Sequence, residues 1–95
     1  MNISISAGVV TIMGNIKSVS DYQSIKTEID KVVTPGSSLT LKIPESISIT
    51  SSVIGYFNKL VQKDKVNITM QIGNAQLMEL LEELNLKALF KAQQA

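Results

Sequence analysis

The chain opens with strict alternation. Ile3 and Ile5 alternate with Ser4 and Ser6, the period of a half-buried strand. Ala7-Gly8 is a turn signal, and Val9, Val10 and Ile12 lead on to Gly14, so residues 2–14 predict a β-hairpin. The period then changes. Tyr22, Ile25, Ile29, Val32 and Val33 recur at spacings of three and four, which predicts an amphipathic helix over about 19–33. Ser18 stands three residues before Asp21, a capping-box variant with Asp in place of Glu. Thr34-Pro35-Gly36 supplies the stop.

Leu39, Leu41 and Ile43 predict a third strand that Pro44 breaks, and Ile47 and Ile49 suggest a short extended piece beside the sheet. Val53, Ile54, Phe57, Leu60 and Val61 fall on one helical face, predicting a helix over about 52–63. Val66, Ile68, Met70 and Ile72 alternate as a fourth strand. Gly73-Asn74 turns the chain, with Asn74 a candidate N-cap. Leu77, Met78, Leu80, Leu81 and Leu84 predict a helix to about Glu83. Asn85 interrupts it, and Leu86, Leu89 and Phe90 suggest a short last helix before a frayed tail from Lys91.

The expected order is β-β-α-β-α-β-α-α in a single α/β domain over residues 1–95. Strands separated by helices pair in parallel through right-handed crossovers, while the opening hairpin is antiparallel. The expectation is a mixed four-stranded sheet with about four helices, covering one face more than the other.

Composition removes several classes of chemistry. Hydrophobic residues make up 44% of the chain, enough for a packed core. Cysteine and histidine are absent, which excludes thiol nucleophiles, thiolate metal sites, Ser-His-Asp catalysis and the common imidazole metal sites. All nine basic residues are lysines, so no bidentate guanidinium clamp is available. Net charge is +1 with opposite signs interspersed, and the aromatics are only Tyr22, Tyr56, Phe57 and Phe90. Nucleic-acid binding is therefore not expected. No apolar run approaches the ~20 residues that span a bilayer. The first residues lack the charged start and apolar stretch of a secretory signal, and cytoplasmic residence is the expectation.

The most informative polar segment is Thr50-Ser51-Ser52 at a helix start. One reading is a capping run, in which one hydroxyl accepts a first-turn N–H and the others are solvated. The other is a phosphoacceptor or docking serine at the carboxyl end of a strand, where functional groups of open α/β sheets collect. The leucines from 77 to 89 read as core. Glu79, Glu82 and Glu83 read as the solvated side of their helix, or as a surface for a basic partner. The five glycines match neither phosphate-cradling template, and no cofactor is expected. Gly55 lies inside a predicted helix, where close packing or partner access could compensate its cost.

The element order, together with Ile49-Thr50-Ser51-Ser52-Val53-Ile54-Gly55 and the leucine-rich end Leu80-Leu-Glu-Glu-Leu-Asn-Leu-Lys-Ala-Leu-Phe90, resembles the STAS domain family. These are the sulphate-transporter and anti-sigma-factor-antagonist domains, and the resemblance covers nearly the whole chain. Residues 49–55 are similar to the family's Asp-Ser-Ser-Gly-Leu-Gly segment, and residues 80–90 to its leucine-rich end. In stand-alone bacterial members, the second serine of that segment is phosphorylated by a partner kinase that is also an anti-sigma factor, and a phosphatase reverses the step.

By position, the resemblance makes Ser52 the phosphoacceptor and Ser51 its neighbour. Three positions depart from the pattern. Thr50 stands where aspartate is usual, Val53 where glycine is usual, and Lys17 where a second acidic residue is common. The first and third remove negative charge from one region, and β-branched Val53 is expected to crowd the approach to Ser52. The resemblance implies a non-enzymatic regulatory module in a partner-switching pathway. Its surface would be formed by Thr50, Ser51, Val53, Gly55, Tyr56 and Lys17 around Ser52. Its partners would be an anti-sigma factor or serine kinase-like regulator and a phosphatase. The alternative is a phosphorylation-independent subunit, as in lipid-transport ATP-binding cassette complexes.

Overall fold

Ala7 and Gly8 both take positive φ, 50° and 80°, and fold the first strand back on the second. A two-residue turn with both centres in that region matches the twist of the flanking strands. The structure, a computed structural model, describes residues 1–94. Strand β1, Asn2–Ser6, runs antiparallel to β2, Val9–Met13, with Ser6 opposite Val9 and Asn2 opposite Met13. Strand β3, Ser38–Ile43, lies parallel to β2, and β4, Asn67–Ile72, parallel to β3. A fifth strand, β5, Ala92–Gln94, lies parallel to β4. The spatial order is β1-β2-β3-β4-β5.

Three helices connect the parallel strands: α1, Val19–Asp30; α2, Ser51–Gln62; and α3, Ala75–Glu83. Each crossover steps one strand in the same direction. Right-handed crossovers of that kind place every helix on the same face of the sheet. The burial pattern agrees. Val10, Ile12, Leu39, Leu41, Ile43, Ile68, Met70 and Ile72 are buried, and they pack with Ile25 and Ile29 of α1, Val53, Phe57 and Leu60 of α2, and Leu77 and Leu81 of α3. The alternate positions carry Ser4, Ser6, Thr11, Thr40, Lys42, Thr69 and Gln71, none of them buried. The fold is thus a two-layer α/β sandwich with one open, mainly polar sheet face.

Four differences from the sequence expectation have physical causes. Among the described residues the sheet has five strands, not four, because the tail expected to fray pairs with β4. The expected last helix is only a hydrogen-bonded turn. Phe90 N–H donates to the Leu86 carbonyl, and then Lys91 enters the left-handed region with φ 48°. Ala92 N–H donates to the Lys87 carbonyl, a helix-ending bond that starts β5 instead of another turn. Helix α1 stops at Asp30, not near residue 33, leaving Val32 exposed. Ile47 and Ile49 form no strand: Ile49 enters the core and Ile47 points to solvent.

Candidate functional site

The carboxyl ends of the parallel strands carry the loops that position the hydroxyl run. Ser46, the one buried polar residue among the described residues, ties two of them together. Its Oγ accepts the Ile16 N–H at 3.0 Å and donates to the Ser48 carbonyl at 2.6 Å. Ser48 Oγ donates to the Ile16 carbonyl at 2.8 Å, and Ile47 N–H donates to Asn15 Oδ1 at 3.0 Å. Glu45 accepts the Gly14 N–H at 3.0 Å. The β2–α1 loop is therefore bonded to the segment that leads into α2. Sequence reasoning missed the Ser46 hub, because Ser46 is one of eleven serines and no local pattern sets it apart.

At the start of α1 the expected capping box is present. Ser18 Oγ accepts the Asp21 N–H at 3.1 Å, and Asp21 Oδ2 accepts the N–H groups of Ser18 at 3.1 Å and Lys17 at 2.9 Å. The Lys17 and Ser18 bonds hold the Asp21 carboxyl below its usual range. Lys17 itself is exposed, on the loop joined to the α2 approach.

At the start of α2, Thr50 is the N-cap. Its Oγ1 accepts the Val53 N–H at 3.3 Å. Ser51 and Ser52 are the first two residues of the helix and both are exposed. The capping role thus falls to Thr50 and leaves Ser52 at a helix end without an acidic residue in its first turn. Unpaired N–H groups and the helix dipole favour an anion there.

Two members of the expected surface are elsewhere. Val53 is fully buried and points into the core, so it does not crowd Ser52 from outside. Tyr56 is 4% exposed; its ring packs beside Phe57, and its hydroxyl donates to Asp30 Oδ1 at 2.6 Å. Both follow the apolar side of α2, which the sheet covers. Gly55 is exposed, and a Cβ added there would meet nothing within 4 Å, so close packing does not account for it. The edge that remains comprises Thr50, Ser51, Ser52, Gly55 and Lys17. Exposed apolar side chains flank the two bonded loops: Val19, the first residue of α1, is 68% exposed, and Ile47, on the approach to α2, is 50% exposed. Glu79, Glu82 and Glu83 are exposed on α3, and Glu82 lies 3.9 Å from Lys87.

Among the described residues, no cluster of three His, Cys, Asp or Glu side chains could hold a metal ion. A shallow depression of about 720 Å³ lies beyond the far end of α3, lined by Glu82, Asn85, Lys87 and Lys91 among others, and α2 contributes nothing to it. The fold and the Ser52 edge define a small α/β domain with a non-buried hydroxyl run at a helix N-terminus. No family model matches the chain, and no curated protein or solved structure matches it.

Proposed function

We propose that this chain is a non-enzymatic binding module of STAS type that acts in partner switching, with Ser52 as the controlled residue. The proposal is carried by the division of labour at the α2 start. Thr50 caps the helix, which leaves Ser52 exposed beside N–H groups that suit a phosphate. Phosphorylation adds about −2 charge, locally stabilised by the helix end and read by a partner as an altered surface. The partner is a serine kinase-like regulator, or anti-sigma factor, and a phosphatase resets the site. Cytoplasmic residence belongs to the same proposal. No helix among the described residues is long and apolar enough to cross a membrane.

The test is incubation with ATP and the kinase-like regulator from the same cell, followed by mapping of the phosphate by mass spectrometry. Phosphate on Ser52, absent from Ser52→Ala, together with weaker partner binding by Ser52→Asp, is the expected result. No phosphate on Ser52 and unchanged binding by Ser52→Asp would overturn the switch. An alternative, a phosphorylation-independent subunit of a transport complex, is favoured by exposed Val19 and Ile47, since apolar contact needs no phosphate. Retrieval of an ATPase or permease instead of a kinase-like protein would select it.

A further inference from the structure

Strand β1 is an edge of the sheet and carries no charge, proline or bulge. Edge strands normally carry charge, proline or a bulge that blocks pairing with another chain. Asn2–Ser6 carries none of these, its register with β2 is unbroken, and residues 1–14 contain no charged side chain. The pair that closes the two-residue turn, Ser6 with Val9, is a hydrogen-bonded pair. Ladder alternation therefore turns the N–H and C=O groups of Ile3 and Ile5 outward. Ile3 and Ile5 are also only partly buried on the helix-covered face.

The strand is self-complementary about Ser4. Two copies placed antiparallel on a two-fold axis through that residue put Ile3 opposite Ile5 of the second copy, and Ile5 opposite Ile3. Each of these pairs exchanges its outward N–H and C=O groups. The same operation closes the apolar gap at the sheet edge with isoleucine against isoleucine, a favourable cross-strand pairing. Asn2 meets Ser6, and Ser4 meets Ser4, on the open polar face. No like charges are brought together.

We propose that β1 is a homodimer interface, in which two copies join their sheets edge to edge in this one register. The inference is independent of the role given to Ser52, which belongs to α2 and is no part of β1. A contact of one short strand is small compared with the ~1,200–2,000 Å² of tight complexes, so the dimer is concentration-dependent.

Sedimentation of the whole chain over a concentration series tests it. The expected mass rises toward twice the 10.3 kDa of one chain. Ser4 faces itself across the axis and is exposed opposite Thr11, so its charge can be changed without touching the core. Ser4→Lys alone and Ser4→Asp alone are each expected to stay monomeric with unaltered circular dichroism, and an equimolar mixture of the two to recover the dimer. In the unaltered chain, exchange of the Ile3 and Ile5 amide protons should slow as concentration rises. A mass that stays at one chain, a Ser4→Lys variant that dimerises as well as the parent, a mixture that stays monomeric, or Ile3 and Ile5 exchange independent of concentration overturns the proposal.

Discussion

A methyl group added at Gly55 meets open space, whereas one added at Gly73 overlaps the backbone of Pro44. Both residues are glycine, but the two substitutions should act in opposite directions. Gly55 sits within α2, where glycine costs about 1 kcal/mol relative to alanine. Gly55→Ala should therefore raise the unfolding free energy by about that amount, read from the urea midpoint. If Gly55 belongs to a partner surface, as proposed, the same variant binds the partner less well while being more stable. Unchanged affinity would remove it from that surface. Gly73 donates its N–H to the Ile43 carbonyl at 3.0 Å and lies against Pro44. Gly73→Ala should cost about 1–3 kcal/mol, as overpacking does. The sequence marks Gly73 as a turn residue but cannot show what faces it. Ser46 illustrates the same limit. Its importance comes from Ile16, on another loop, whose N–H loses its partner in Ser46→Ala; the expected loss is about 1–3 kcal/mol.

At the scale of elements, α1 and α2 are joined through one carboxylate. Asp30 accepts from Tyr56 Oη at 2.6 Å and from Lys26 Nζ at 2.7 Å, and Lys26 stands 5.7 Å from the Tyr56 ring centroid. Burial pushes the Asp30 carboxyl up, but the hydrogen bonds from Lys26 and Tyr56 and the charges of Lys26 and Lys59 outweigh it and hold it below its usual range. Burial, and then Asp30, push the Tyr56 hydroxyl well above its ordinary value, so it stays a donor at any working pH. A depressed carboxyl contributes stability that is present above its unfolded value, ~3.9, and is lost as pH falls through the lower folded value. Tyr56→Phe should thus cost about 1 kcal/mol near neutrality, a modest figure because the Asp30 side chain is 41% exposed. That difference should shrink in denaturation curves taken below about pH 4.

Elements with strong periodicity were legible: the hairpin, the three helices and β2 to β4 all appear near their expected places. β5 was not, because Ala92-Gln93-Gln94 has no β-branched or aromatic residue. It is a strand because β4 offers it a partner edge. The helix expected over 86–90 failed for a related reason: its leucine spacing is helical, but Lys91 ends it after one turn. At the candidate site, helical periodicity already placed Val53 on the inward face with Phe57 and Leu60. The family pattern grouped Val53 and Tyr56 with the surface, and burial shows that periodicity was the better guide.

For the whole molecule, the single covered face makes Phe57 and Phe90 the points where distant parts meet. Both are fully buried, with ring centroids 6.1 Å apart at an interplanar angle of 87°, an edge-to-face pair. Phe57 belongs to α2, the helix that presents Ser52. Phe90 lies two residues before the start of β5, and the carbonyls of Phe90 and Lys91 both accept from Met70 N–H, at 3.2 and 3.3 Å. Removing either ring should cost about 3–5 kcal/mol, a large part of the 5–15 kcal/mol typical of a domain. Because the rings touch, the double alanine variant should cost less than the sum of the two single variants by about 0.5–1.5 kcal/mol. Additive costs would show that the rings are energetically separate. Where the loss appears distinguishes the two rings further. Phe90→Ala loosens the attachment of β5, so amide exchange should accelerate first at Ala92 and Gln93. Phe57→Ala loosens the seat of α2, so exchange should accelerate first at Val53 and Ile54, beside Ser52. The orientation of the candidate site therefore depends on a ring contact on the far side of its own helix, inside the core.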